Sequence, residues 1–562
     1  MNDSLKLSSY SWTIKQNIMK RILLSIITIT ALSFGANAQN VTYFDINSGS
    51  ANSNAGQFTA LADKVYFTAD DGTNGKQLWS LDTTTNTTNI ILINSTGTSN
   101  LHTLTALNGK LYFVADGGTN GYELWKYDPS DSTASELANI HPTGNSYPEN
   151  LIASNNKLYF SADDGTNGRE LWIHNPTANT TAMVSNINPS GDGLLYFSPF
   201  IAFNNKLYFA ADDGTNGREL WVHNPTANTT SLVANINPTG GSTIATTGYF
   251  KYATISYNNK LYFIANDGTN GNEMWVHDPI ANTTNMLVDL NPSGDGISNQ
   301  FHYNFKKEMA VFNGKLYFGA TDGTAGGLCE YNPATNSHRW VNGGSGGLSH
   351  MAILNNEIYF RGSIPGTMSE LLKYSPVDDS VSLVMDFNLT GGNSDPSHLT
   401  VINNRLYCRP NILPDGNNGR LFEYDPILND TISYPNIHPQ WLTTPNRFDV
   451  IKEIGGKFYF TTTDGGNGNE FGVFTPPAAT PLNINEVQNT TLHIYPNPAV
   501  SHITIDSDEK IKTITIMDVM AKTVKTFVSS SNSIDVSELT KGIYFLQIQT
   551  DKGLISKKFI KK

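Results

Sequence analysis

The sequence predicts an all-β protein, and three observations carry that prediction. First, only 15% of the 562 residues are charged, while Gly, Asn, Thr, Tyr and Phe are abundant, a composition that favours short strands and tight turns over helices. Second, one short pattern recurs nine times: a charged residue, an aliphatic residue or Phe, a tyrosine, then Phe or Cys. Its tyrosines are Tyr66, Tyr112, Tyr159, Tyr208, Tyr262, Tyr317, Tyr359, Tyr407 and Tyr459, with gaps of 42 to 55 residues. Third, each full unit carries four strand-like segments. In the fourth unit these are Phe200 to Phe203, KLYFAA, ELWVH and TSLVANI, the last followed by an NPTG turn. Four strands at that spacing describe a β-propeller blade, so the expected architecture is a propeller-like ring of about nine four-stranded repeats.

The two ends of the repeat array fit together. Residues Val41 to Ser50 (VTYFDINSGS) align with the fourth segment of a unit and have no first three before them, and the ninth unit stops after NEFGVF without its fourth. An N-terminal strand that completes the last blade would remove both exposed edges. An open solenoid is the competing architecture, and it would need capping repeats instead.

The flanking segments have their own signatures. Lys20 and Arg21 precede an apolar run from Ile22 to Phe34, and Ala36 and Ala38 frame a small-x-small cleavage site. Residues 1–38 therefore read as a secretory signal peptide, too short in its apolar part for a stable transmembrane span, with Met19 as an alternative start. The repeat domain is placed at 39–475, and a proline- and asparagine-containing linker at 476–491. Residues 492–562 read as about seven short strands, a small Ig-like β-sandwich. The two cysteines, Cys329 and Cys408, do not make a disulfide framework. The net charge of -13 is spread without a basic patch, which excludes a nucleic-acid footprint.

The repeats resemble the bacterial ELWxxDGT repeat family over residues 41 to 475. The fourth unit alone carries Lys206-Leu207-Tyr208-Phe209, Asp212-Asp213-Gly214-Thr215-Asn216-Gly217, Glu219-Leu220-Trp221 and Asn235-Ile236-Asn237-Pro238. Where that family closes its unit in DGT, this chain has Asn224-Pro225-Thr226 or Asp128-Pro129. The resemblance implies a repeat architecture and brings no activity with it. The C-terminal segment resembles the sorting domain of proteins exported by the type IX (Por) secretion system. The residues that carry this likeness are Tyr495-Pro496-Asn497-Pro498, Gly542 and Tyr544 within LTKGIY, and Lys557-Lys558-Phe559 near the end. It implies the type IX machinery as a partner, and a secreted or surface location on a Gram-negative bacterium, with the domain itself commonly removed.

Several stretches invite a site, and each has a plainer reading. The DDGTNG loop could hold calcium, but an oxygen-ligand loop set on Asp212 would find Gly214 at its third position and His223 at its twelfth. It reads instead as a turn in which Asp-Gly and Asn-Gly supply positive φ, with calcium the lesser alternative and no other cofactor or metal site expected. His174, His223 and His277 share a repeat slot with Tyr127, Tyr331, Tyr374 and Tyr424, so they read as half-buried flat side chains with a polar tip. Equivalent slots on different blades are too far apart for a common zinc. Trp79, Trp125, Trp172, Trp221 and Trp275 fill one slot in units one to five and read as packing between blades ahead of a sugar-stacking platform. In the later units that slot holds Cys329, Leu372, Phe422 and Gly472. Gly343-Gly344-Ser345-Gly346-Gly347 matches a nucleophile pattern but lacks the strand and helix that such an elbow requires.

No catalytic residue is assigned. The expected function is an exported binding or surface-interaction protein that contacts glycans or other surface polymers through loops of a rigid ring. The alternative is a secreted polysaccharide- or peptide-degrading enzyme on the same scaffold. A site of either kind should lie where the repeat is broken, around Phe301 to Lys307, His338 to Trp340, Pro410 to Gly416 and His438 to Arg447.

Overall fold

The structure is a computed structural model that describes residues 41–477 and 492–562, apart from 197–198, 243–252, 298–308, 344, 389–390, 411–419, 428, 435–436, 438–450, 464–467, 508–509, 518–522, 529–532 and 551–553. The expected signal peptide, with Ala36 and Ala38, and residues 478–491 of the linker lie outside the described residues. The chain divides into two compact units after Pro477.

In the first unit the described residues form nine four-stranded antiparallel sheets. Blade 1 runs Gly56–Leu61, Lys64–Asp70, Lys76–Asp82 and Thr87–Ile91, each strand beside the next, and blades 2 to 8 repeat this order. Blade 9 takes three strands from the end of the unit, Ile451–Ile454, Lys457–Thr463 and Asn469–Phe474, and its outermost strand is Val41–Phe44. Val41 pairs with Phe474 and Phe44 with Phe471, so the first described strand closes the last blade.

The period of two in KLYFAAD explains how the blades stack. Leu207, Phe209 and Ala211 point into the junction between blades 3 and 4. Tyr208 and Ala210 point the other way, into the junction between blades 4 and 5. The same division holds around the ring and gives each junction its own apolar cluster. The cluster that joins blade 9 to blade 1 contains Tyr459, Phe471 and Val473 from one side and Phe58, Val65, Phe67 and Trp79 from the other, so the ring is closed. All nine anchor tyrosines are buried. Each large side chain of this kind contributes about 1.5–3 kcal/mol by leaving water.

Turn chemistry fixes the register. First and second strands are joined by Asn pairs such as Asn155-Asn156 and Asn204-Asn205, whose φ values of 49° to 58° suit a two-residue hairpin. First strands of neighbouring blades lie against one another and form the inner wall of the ring. Many of them start with a bulge whose residue has left-handed φ: Gln57, Thr103, Asn150, His350 and His398.

The second unit, described by itself, is a sandwich of a three-stranded and a four-stranded sheet. Ile503, Ile505, Ile514, Ile516, Leu546, Ile548 and Phe559 fill its core.

Candidate functional site

Because strands alternate in direction, the linkers that enter each blade and the DDGTNG loops between second and third strands emerge on one rim of the ring. Both are built by local polar chemistry. Asp213 Oδ1 accepts the N–H groups of Thr215 and Asn216 at 2.9 and 2.8 Å, and Oδ2 accepts the Asn216 amide at 2.7 Å. Asp212 accepts the Gly214 N–H at 2.8 Å. Burial pulls the Asp213 carboxyl upward, but these donors outweigh it and hold the group below its ordinary value. The acids are thus spent on the turn. Gly217, at φ +71°, leaves no room for a side chain: a Cβ there would lie 2.7 Å from Gly241 N in the adjoining linker.

The glutamate of ELW anchors the linker. Glu170 is fully buried and accepts the N–H groups of Ile187 and Asn188 at 2.8 and 2.9 Å. Glu123, Glu219, Glu273 and Glu470 hold the corresponding two amides in their blades, and Glu370 accepts the Phe387 N–H. Burial pushes Glu170, Glu273 and Glu370 up to about 7. In blade 1 the slot holds Gln77, which accepts from Ile93 N–H at 3.0 Å and donates to the carbonyls of Asn74, Asn94 and Gly97. A neutral group therefore serves there equally.

The histidine and tryptophan slots are packing positions. His174, His223 and His277 are fully buried, beyond the half-burial expected. His174 bonds Thr181 Oγ1 at 2.9 Å and lies 5.6 Å from the Tyr112 ring of the preceding blade, and burial lowers it to about 4. Trp79, Trp125, Trp172, Trp221 and Trp275 each sit in the cluster joining their blade to the one before. At Gly472 the Phe460 ring occupies the space instead, 2.7 Å from where a Cβ would be. Cys329 and Cys408 are buried free thiols in different junctions. Ser345 opens the strand Ser345–Leu354, so a strand follows the glycine-rich run where a nucleophile elbow would have a helix.

Of the repeat-breaking segments, Phe301 to Lys307, residues 411–416 and His438 to Arg447 lie outside the described residues. His338 to Trp340 is described. Its Arg339 bonds Glu330 at 2.9 Å within blade 6 and Asp379 at 2.6 Å in blade 7, an ion-paired clasp between blades.

Among the described residues, the strongest departure from the repeat on the linker rim lies in blades 2 to 4, at residues sequence reasoning passed over. Tyr122 and Tyr147 stack with centroids 5.2 Å apart, and Tyr196 stands edge-on to Tyr147 at 6.2 Å. The buried Arg169 lies under the Tyr196 ring, 4.9 Å from its centroid, and donates to the Tyr147 carbonyl at 2.7 Å. His102 Nε2 lies 3.0 Å from Glu149 Oε1. Burial, and then Glu149, which accepts a hydrogen bond from its hydroxyl, raise the Tyr196 phenol. The signal was present in the aligned units: Tyr122 stands where others have Lys76, Arg169 and Arg218, and Tyr147 where blade 2 has Asn100.

In the second unit the proposed sorting motifs come together on one side. Asn497 Nδ2 donates to the Lys558 carbonyl at 3.0 Å, and its Oδ1 accepts the Ile560 N–H at 2.9 Å, which ties the Tyr495 to Pro498 turn to the last strand. Gly542 pairs with Lys561, Leu546 with Lys557, and Tyr544 with Phe559, whose ring it stacks on at 5.6 Å. Tyr495, Val500, Ile543, Phe545 and Ile560 remain exposed.

Comparison with known proteins adds to this picture. Residues 493–562 match the family described as secretion system C-terminal sorting domain. Residues 62–291 match the family described as outer membrane protein assembly factor BamB. The chain therefore joins a propeller-like repeat domain to a type IX sorting domain, and it is a secreted or cell-surface protein of a Gram-negative bacterium. Among the described residues no helix is long and apolar enough to cross a membrane. No curated protein matches the chain. Among solved structures, it is similar to a prolyl endopeptidase at 10% identity and a TM-score of 0.33, over 67% of this chain and 54% of that one. The propeller domain of the Trilobed protease from Pyrococcus furiosus is 10% identical at a TM-score of 0.28, over 59% and 98%. TolB from Acinetobacter baumannii is 10% identical at 0.26, over 50% and 77%. The chain thus spans little more than half of the endopeptidase.

Proposed function

We propose that the mature protein is a binding module: a rigid ring of ELWxxDGT-type repeats that holds a recognition surface on its linker rim and is carried outside the cell by residues 492–562. One observation supports the reading above all. Blades 1 to 5 reuse the same side chains at slot after slot, whereas Tyr122, Tyr147, Glu149 and Tyr196 break the pattern and meet at one place on that rim. The scaffold needs none of them elsewhere in the ring. The partner is a polymer of the cell envelope or its surroundings, and the protein holds it without turning it over. The test is retention of immobilised envelope polysaccharide and outer-membrane material by the secreted protein. Turnover of a polysaccharide or peptide panel, or retention of neither material, would overturn the reading.

The sorting role is assigned to the Tyr495 to Pro498 turn, Gly542, Tyr544 and Lys557 to Phe559, with the exposed Ile543, Phe545 and Ile560 as the surface presented to the type IX machinery. Deletion of residues 493–562 is expected to leave the repeat domain in the periplasm and none in the medium. Ile543→Lys with Phe545→Lys should reduce export while the domain keeps its fold. Export of the deleted form at the native level would sink the assignment.

A further inference from the structure

We propose that the tyrosine ledge of blades 2 to 4 is a subsite for neutral pyranose sugars. It rests on the binding-module reading above and gives that site its chemical class. A pyranose presents an apolar C–H face with hydroxyl groups around its edge, and it is recognised by an exposed aromatic ring with polar groups beside it. The ledge offers both. The planes of Tyr122 and Tyr147 lie within 22° of each other, and the Tyr196 ring turns 68° away from Tyr147 to form a corner. Tyr196 is 36% exposed and Tyr122 and Tyr147 are half-buried, so each ring has an edge or face open to a ligand.

The rings are held in advance of binding. Arg169 supports Tyr196 from beneath, Asn150 Nδ2 donates to the Tyr196 carbonyl at 3.1 Å, and Asn145 Nδ2 donates to the Tyr147 hydroxyl at 3.1 Å. Little rotamer freedom is left to lose when a ligand arrives. Along the corner, the Tyr122 hydroxyl and the Tyr196 hydroxyl, which the buried Glu149 holds in place, are groups of the kind that bind sugar hydroxyls.

Charge favours a neutral ligand. Glu149 lies in the field of Arg169, whose guanidinium is buried under the ring and is no surface cation. The chain as a whole carries -13, which repels polyanions. A basic patch is what an acidic polysaccharide would need, and the ledge is built of phenols instead.

The experiment titrates the secreted protein with cello-, xylo-, manno- and malto-oligosaccharides, followed by calorimetry and saturation-transfer NMR, with polygalacturonate as the anionic control. Saturable binding of at least one neutral series is expected, with saturation passing from aromatic protons to the sugar ring. Tyr196→Ala and Tyr122→Ala should each weaken it about tenfold, and Tyr196→Trp should retain it, all with native thermal midpoints. Absence of binding across the neutral series, unchanged affinity in both alanine variants, or preference for the polyanion would overturn the proposal. Retention of envelope material that survives both alanine substitutions would remove the ledge from the account and leave the binding-module reading standing; loss of all retention by the native protein would remove both.

Discussion

Deleting residues 41–46 is expected to lower the stability of the ring by about 3–6 kcal/mol and to make it self-associate. The deletion strips blade 9 of its outer strand and leaves Asn469–Phe474 as an unpaired edge, a template for pairing with another chain. It removes Phe44, which stacks on Phe471 at 5.0 Å, and with it about 1.5–3 kcal/mol of apolar burial. It also takes away the Ile46 N–H that reaches Glu470 at 2.8 Å. Glu470 is 1% exposed, so its carboxylate would be left inside the protein with the Ser53 N–H, at 3.0 Å, as its main remaining backbone donor. Losing a hydrogen-bond donor to a buried polar group costs about 1–3 kcal/mol. Urea denaturation together with size-exclusion chromatography reads the outcome. A monomer with an unchanged midpoint would show that the blades hold the ring without the closing strand.

Replacing the buried glutamates should separate two effects, one of geometry and one of protonation. Glu170→Leu strands the N–H groups of Ile187 and Asn188, and each unsatisfied buried donor costs about 1–3 kcal/mol. Glu170→Gln keeps an acceptor oxygen and adds a donor, the arrangement Gln77 already uses in blade 1, so it should be close to neutral at pH 5. The dependence on pH has a definite sign. Glu170, Glu273 and Glu370 rise from 4.5 to about 7 on folding, so across that window the folded ring binds protons that the unfolded chain releases. Their contribution is most favourable at and below pH 4.5 and is lost as pH climbs through 7. His174 acts in the opposite sense: its folded value falls to about 4, so the folded ring binds fewer protons below 6.5, and stability drops as the medium is acidified towards 4. The two contributions overlap, and the clean comparison is the native protein against a Glu170→Gln, Glu273→Gln, Glu370→Gln triple variant. The variant should gain on the native protein steadily between pH 5 and 8 in thermal midpoint. A constant difference across that range would show that these carboxyls stay ionised throughout.

What could be read in the sequence followed from how local each signal is. KLYFAAD announces its strand, its two faces and its place in a blade within seven residues, and nine copies of it made the ring countable. The complementary ends, VTYFDINSGS and NEFGVF, pointed to closure because each is an incomplete unit of a pattern already known. The role of the ELW glutamate was not legible, because the amides it holds lie 17 and 18 residues ahead in an irregular linker. The tyrosine ledge was hidden for a related reason. Its members come from three successive repeats, and each looked like a harmless variation at a variable position until the rim brought them side by side. The histidine slot was read correctly as packing but its depth was underestimated. A Thr hydroxyl beside Nδ1 of each histidine gives the polar tip a partner, and that allows full burial.

The closing strand also sets a timetable. Ile46 and Glu470, which meet in blade 9, are 424 residues apart in the chain, so the seam between them is the most distant union the ring makes and its formation waits on every blade in between. The strand that opens the ring is therefore the one that remains unsatisfied longest. A chain that is cut short, or that fails in one internal blade, never presents the partner that this segment needs. Sealing of the seam thus reports completeness, and it does so in a protein whose sorting domain follows the last blade.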